Sequence, residues 1–303
     1  MLHLAFRNNF KLMNTLSEHV VAPIRHLQTK ISALVPFSLA ELLMALVLIW
    51  ILTLIIRRKW KRLLTGIITL ALFVYGGFCF LWGTYYYGTA PAEVDPISVE
   101  DLYKVTAYFA DMANKSYVDE PDRNEVVAKS PEVFGTVSVK GIKCSKVMSL
   151  LDFTGFFFPF TGEANVNMDS PAHDLPATAA HELSHLQGTA REQEANFEAV
   201  KACLEYGDPD YVYSACLMAY TYLGNALYGA DYDKWLEVRQ TLSDDVIADL
   251  AETNEYWVNY ETPVKEVSNT VYENFLYSYG QDLGLKSYGA CVDLLVNYYK
   301  NIA

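Results

Sequence analysis

Cysteine is scarce in this sequence. There are five in 303 residues (Cys79, Cys144, Cys203, Cys216, Cys291), none in a CxxC pair, which excludes a zinc ribbon and a dithiol redox motif. A disulfide among the last four is an open alternative, but buried free thiols are the expectation. Positive charge is also short, 23 Lys+Arg against 36 Asp+Glu for a net of −13, so nucleic acid is set aside as a partner. Residues 1–30 lack the charged start, short apolar stretch and small-residue cleavage site of a secretory signal peptide. Neither an internal repeat nor a low-complexity stretch is visible.

What the chain has in quantity is apolar residues, 52% of the total, gathered in two runs, Leu39 to Ile56 and Leu63 to Gly83. Each approaches the roughly 20 residues that span a bilayer. Between them lie Arg57, Arg58, Lys59, Trp60, Lys61 and Arg62, five positive charges in a loop over 57–62. The positive-inside rule puts that loop in the cytoplasm and both far ends outside, so 38–84 reads as a transmembrane hairpin of the cytoplasmic (inner) membrane. Trp82 and Tyr85, Tyr86 and Tyr87 then fall where amphipathic rings favour lipid headgroups. Up to Gly83 the chain carries nine Lys/Arg against two Asp/Glu, a net of +7, which leaves −20 for the remainder.

Residues 1–37 carry Leu16, Val20, Ile24, Leu27, Ile31 and Leu34 at helical spacing with a kink expected at Pro23, the pattern of an interfacial amphipathic segment. Residues 85–303 form the outer domain. Val99 to Lys115 has helical periodicity, and the polar stretch through Pro131 reads as a loop. Phe134–Lys140 and Gly155–Met168 read as strands. From Asp174 the pattern is helical, with breaks near 207–210, 229–231 and 280–284. The fold class expected is α+β, mainly helical, with a small β-sheet.

The chemistry is concentrated at His181-Glu-Leu-Ser-His185. On a helix the two histidines of HExxH lie one turn apart on one face, where both imidazoles reach a single ion. Asp174 is placed to cap that helix, Pro176 suits its first turn, and Gly188 suits a left-handed stop. Ala179, Leu183 and Leu186 then face the core.

A hydrolytic zinc takes three protein ligands and keeps one position for water, so a third ligand is needed. The metzincin pattern would put a histidine at position 191, which is Arg191, so that class is excluded. Glu192, Glu194 and Glu198 remain. Glu194, Glu198, Lys201 and Glu205 share a charged stripe of the kind that faces water. Glu192 lies instead with Asn196, Ala199 and Cys203. The expected ligand set is therefore His181, His185 and Glu192, with Asn196 orienting Glu192. A capping box over Thr189-Ala-Arg-Glu192 is the competing use of that glutamate.

Glu182, turned roughly 100° from its neighbours, does not share the ion but is positioned to take a proton from the water that the ion activates. One Zn2+ per chain is the expected cofactor. Tyr272, Tyr288 and Arg191 are candidate oxyanion donors, although packing alone also explains such tyrosines. Glu163, Ala164, Asn165, Val166 and Asn167 form a candidate substrate-pairing strand, with an ordinary edge strand as its alternative.

Several stretches are similar to an uncharacterised bacterial family of membrane proteins catalogued as a domain of unknown function. They are Pro36-Phe-Ser-Leu-Ala-Glu41, the basic loop, Phe158-Pro-Phe-Thr-Gly-Glu-Ala-Asn165, His181-Glu-Leu-Ser-His-Leu-Gln-Gly188 and Arg191-Glu-Gln-Glu-Ala-Asn-Phe197. The resemblance covers nearly the whole chain and implies a membrane-embedded start followed by a zincin-like extracytoplasmic peptidase domain. The Glu-x-Glu-Ala-Asn element also resembles the third-ligand helix of ImmA/IrrE-type gluzincin peptidases, which implies zinc ligation by Glu192. Those families have a longer insertion before it, whereas six residues separate His185 from Glu192 here.

The function expected is a membrane-anchored zinc metallopeptidase acting on peptides or envelope proteins, with membrane lipid as its other partner. Two alternatives stay open. One is a non-catalytic sensor or scaffold with a structural or vestigial metal site, and the other is a cell-wall amide hydrolase.

Overall fold

The computed structural model describes residues 7–278 and 287–303, with side chains for 7–275 and 290–303. The chain is mainly helical, with one three-stranded sheet, and divides into two compact units. The first holds the residues up to Ala90 together with Phe157–Glu163, and the second holds Pro91–Phe156 and Ala164–Ala303.

The first unit opens with helix α1 (Phe10–Leu16), capped by Asn9, whose side chain accepts from the Leu12 amide at 3.1 Å. A π-helical turn over Ser17–Val21 links it to α2 (Ala22–Ser32), which carries Pro23 in its first turn. Proline has no N–H to donate, and the π-turn is the form the expected kink takes. Helix α3 (Leu39–Ile56) starts on Ser38, whose hydroxyl accepts from the Glu41 amide. The turn to α4 (Trp60–Leu81) is tighter than the expected loop: Arg57, Arg58 and Lys59 make it, with Arg58 at φ 51°, and the remaining basic residues begin α4. Helix α5 (Gly83–Gly88) follows, and Tyr85 on it packs under the Arg25 guanidinium at 4.7 Å.

Leu39–Ile56 and Trp60–Gly88 are both long and apolar enough to cross a membrane. Their large side chains point outward, Leu48 being 56% and Leu72 69% exposed. An apolar surface of this extent is unstable against water, at about 25 cal/mol per Å2, and calls for a covering.

In the second unit, α6 (Val99–Ser116) buries Leu102, Val105, Phe109 and Ala113 at the expected helical spacing. The stretch read as a loop through Pro131 is instead α7 (Arg123–Phe134). Asp122 caps it by accepting from the Asn124 and Glu125 amides, and Gly135 ends it at φ 60°. Of the strand expected over Phe134–Lys140 only Lys140 is in one, at the start of β1 (Lys140–Ile142); Phe134 ends α7 and the residues between are irregular. Helix α8 (Ser145–Leu150) leads to a hairpin of β2 (Gly155–Phe158) and β3 (Glu163–Asn167), whose turn end, Phe157–Glu163, belongs to the first unit. The strand order is β1-β3-β2, with β1 parallel to β3 in the register Lys140↔Asn165.

After a 3-10 turn at Ala172–Asp174 come α9 (Leu175–Gln187), α10 (Glu192–Tyr206), α11 (Pro209–Ala230), α12 (Tyr232–Arg239), α13 (Asp244–Val258), α14 (Pro263–Ser278) and α15 (Ser287–Tyr299). The breaks expected near 207–210 and 229–231 fall between α10, α11 and α12, while 280–284 lies outside the described residues. Helix α9 sits at the centre, packed on α7, α10 and α11, and Ala179, Leu183 and Leu186 are buried as expected. All five cysteines are free thiols, and the expectation of burial fails for Cys144, which is exposed.

Candidate metal centre

Local capping sets the ends of α9. Asp174 occupies its N-cap position, but its side chain makes no capping bond. The carboxylate instead accepts from Thr253 Oγ1 at 2.8 Å, and the orphan Ala177 amide is taken by Ser214 Oγ at 3.0 Å. Pro176 lies in the first turn, and Gly188 ends the helix at φ 109°. This left-handed residue folds the chain back so that the Thr189 amide donates to the Ser184 carbonyl at 3.1 Å. The Thr189 carbonyl then stands 2.7 Å from His185 Nδ1. Only a protonated Nδ1 can donate to that carbonyl, so in the neutral ring Nε2 carries the lone pair.

The short connection sends α10 back against α9. Arg191 is its N-cap residue and Glu192 its first helical residue, so the capping-box use of Glu192, which needs it two positions further in, is not what forms. Glu192 Oε2 lies 3.3 Å from His181 Nε2 and 3.5 Å from His185 Nε2. Ligand atoms of the three residues lie within 4.8 Å of one another. A charge-assisted hydrogen bond would be shorter, about 2.7–2.9 Å. The observed spacings match the edge of a tetrahedron with bonds of about 2.0–2.1 Å to a central ion, roughly 3.3 Å. The residues present thus fit a divalent metal.

Electrostatics follow from burial and proximity. Burial pushes the Glu182 carboxyl up to about 7, with the two histidines opposing and Glu192 adding to the rise. Burial would lower His185, but the facing Glu192 carboxylate outweighs it and raises the imidazole to about 9. Burial would likewise raise Glu192, but His185 and His181 hold it well below the usual carboxylate range.

Glu182 is 4% exposed and accepts no hydrogen bond among the described residues. The backbone of Gly155 lies against it, and a Cβ there would fall 2.6 Å from Glu182 Oε1. His181 Nδ1 is buried with no hydrogen-bond partner among the described residues.

Tyr272, from α14, donates its hydroxyl to Glu192 Oε1 at 3.3 Å and so reaches the cluster. Asn196 is buried but makes no bond to Glu192. Its Nδ2 has no partner among the described residues, and Tyr272 fills the contact expected of it. Arg191 is buried with Nη1 3.7 Å from Glu194. The Tyr288 side chain lies outside the described residues.

The charged stripe is not wholly solvated. Glu205 is exposed, but Glu194 Oε1 accepts from the Ala92 amide at 3.1 Å. The substrate strand expected over Glu163, Ala164, Asn165, Val166 and Asn167 is corrected: β3 is the buried middle strand with neighbours on both edges, so it has no free pairing edge to offer. The edge strand that begins beside Glu182 is β2.

Comparison with known proteins gives one match. A family model described as Protein of unknown function (DUF3810) covers residues 17–296. The chain belongs to that family. No curated protein and no solved structure matches it. The family carries no assigned activity, so function has to be read from the site.

Two residues of the site escaped the sequence reading, as did a second cluster elsewhere. Thr189 acts through its carbonyl and leaves no side-chain signal. Gly155 was legible only as a glycine inside a strand pattern, which marks close approach of another group. His173, with Asp249 and Glu252, forms a second group of potential metal ligands. There, however, His173 Nε2 is engaged by Thr253 Oγ1 at 2.7 Å and Asp249 by the Tyr213 hydroxyl at 2.5 Å, so hydrogen bonding within the protein already accounts for it.

Proposed function

We propose that this chain is a membrane-anchored zinc-dependent hydrolase that cleaves peptide bonds outside the cytoplasmic membrane. The observation that carries the reading is the placement of one Glu192 oxygen 3.3 and 3.5 Å from the two HExxH imidazole nitrogens. His181, His185 and Glu192 would hold the ion. When bound, zinc supplies Lewis acidity, lowering the pKa of water toward about 7 and polarising the scissile carbonyl.

The protein's own groups do the rest. His185 is oriented by Thr189, which turns its Nε2 toward Glu192 and the place of the ion. The attacking water gives its proton to a Glu182 oxygen as its own oxygen bonds to the carbonyl carbon. Glu182 then returns that proton to the departing amine as the C–N bond breaks, leaving a carboxylic acid and an amine. Tyr272 commits its one O–H to Glu192 Oε1, so it would serve the oxygen that gains charge by turning from that carboxylate.

The basic turn between α3 and α4 favours a cytoplasmic position by the positive-inside rule, which leaves the acidic second unit outside, with peptides or envelope proteins as substrates. The test uses the full chain in lipid discs. Metal analysis is expected to find one zinc per chain, and a peptide library is expected to be cut, the cutting lost on chelation and restored by zinc. Zinc retained without turnover of any amide would reassign the protein as a sensor or scaffold. Turnover of peptidoglycan fragments alone would make it a cell-wall amide hydrolase.

A further inference from the structure

Helix α14 presents Val264, Val267 and Val271 on one stripe, exposed by 52%, 64% and 64%. Facing them are Leu151 and Phe153, and between the two walls runs an apolar groove of about 680 Å3. The walls are fixed to one another by polar bonds beneath the groove. Ser268 Oγ donates to the Leu151 carbonyl at 2.9 Å, Asn269 Nδ2 donates to Asp152 at 2.9 Å, and Lys265 Nζ stands 3.2 Å from the same carboxylate. The groove is therefore preformed.

One residue of its lining, Tyr272, connects it to the metal centre. The Tyr272 ring, part of the groove lining, packs edge-on against Phe153 at 5.4 Å, and its hydroxyl bonds the ligand Glu192. Two residues beyond Phe153, the Gly155 backbone lies against Glu182. Tyr272 and the chain from Phe153 to Gly155 thus join the groove to the metal centre.

Resting on the peptidase reading above, we infer that this groove is the substrate's binding channel and that it selects an extended peptide segment carrying several large apolar side chains on one side of the scissile bond. Its volume lies within the range of whole-ligand pockets, about 300–1,000 Å3, and so suits a run of residues more than a single side chain. Its carbon lining offers nothing to a glycan. The occupant must also bring a hydrolysable amide to Glu182, which favours a peptide over a lipid chain.

The test uses full-length protein in lipid discs and pairs of fluorogenic peptides that differ only by Leu and Phe replaced with Ser and Gln on one side of the cut. Binding is measured by anisotropy on Glu182→Gln, and kcat/KM on the wild type. The apolar peptide is expected to bind at least tenfold tighter, and Val267→Asp, at an exposed position, should erase that difference with zinc content unchanged. Equal binding of the two peptides, or a preference that survives Val267→Asp, overturns the inference. So does quenching of a Val264→Trp probe by brominated lipid, which would give the groove to the bilayer. The two readings fail separately: selective binding without hydrolysis of any peptide sinks the peptidase and keeps the groove's ligand class, while hydrolysis without selectivity does the reverse.

Discussion

Each of the two units buries a glutamate, and the two are treated in opposite ways. In the first unit Glu163, 2% exposed, accepts from the Leu39 amide at 3.0 Å, the Ala40 amide at 2.9 Å and Thr161 Oγ1 at 2.7 Å. It neutralises the positive end of α3, where free amides and helix dipole favour an anion. In the second unit Glu182 is as deeply buried yet accepts no hydrogen bond among the described residues, and burial drives its carboxyl up to about 7. A buried carboxylate held by three donors serves the fold, whereas one that no protein group holds is placed for proton transfer. The units differ in the same sense overall. The first turns its apolar side chains outward, while the second encloses its own around a helix that carries the site.

The contrast can be broken by substitution. Glu182→Gln is expected to lower peptide hydrolysis by about 10^2–10^4-fold, the range for losing a general base. Zinc content should stay the same and the unfolding temperature should be no lower, since no hydrogen bond is lost. A fall in melting temperature with activity retained would make Glu182 a structural residue. Glu192→Ala should weaken zinc binding by more than about a hundredfold, because even groups that only orient a ligand contribute about 10–100-fold. Unchanged affinity in a competition titration would remove Glu192 from the ligand set. Glu163→Gln should have the opposite profile. The amide would turn an NH2 toward amides that need an acceptor, lowering stability by about 2 kcal/mol in denaturant unfolding, with zinc affinity kept. Loss of zinc without loss of stability would undo the comparison.

Much of this was legible in the sequence because it depends on local spacing. The apolar runs gave α3 and α4, and HExxH with Gly188 gave α9 and its stop. The small-residue face of α10 singled out Glu192. What escaped depends on long-range placement or on weak local signals. Pro131 and its polar neighbours masked α7, although Asp122 was available as a cap. That β3 is the middle strand follows from its pairing with β1, more than twenty residues earlier in the chain, and no alternation pattern in β3 reports it. Tyr272 reaches Glu192 across 80 residues, so among 22 tyrosines it was one of several equal candidates. Asn196 sits on the expected side of α10, but face alone does not settle whether a side chain reaches its neighbour's carboxylate.

The smallest effect is the sharpest test of how Glu182 is held. A Cβ at position 155 would lie 2.6 Å from Glu182 Oε1 and 2.9 Å from the Asn165 carbonyl oxygen. The second contact is to backbone inside the sheet, so the substitution both displaces the glutamate, by somewhat under an ångström, and strains β2 against β3, which lowers stability as well. Misplacing a reacting group by 1 Å costs up to about a hundredfold, so Gly155→Ala is expected to lower kcat by about tenfold, with zinc affinity intact because no ligand is touched. The loss should add little to Glu182→Gln in the double variant, since both act through one carboxylate. Full activity in Gly155→Ala would mean that the base has room to move, and the difference between a clamped Glu182 and a hydrogen-bonded Glu163 would lose its structural basis.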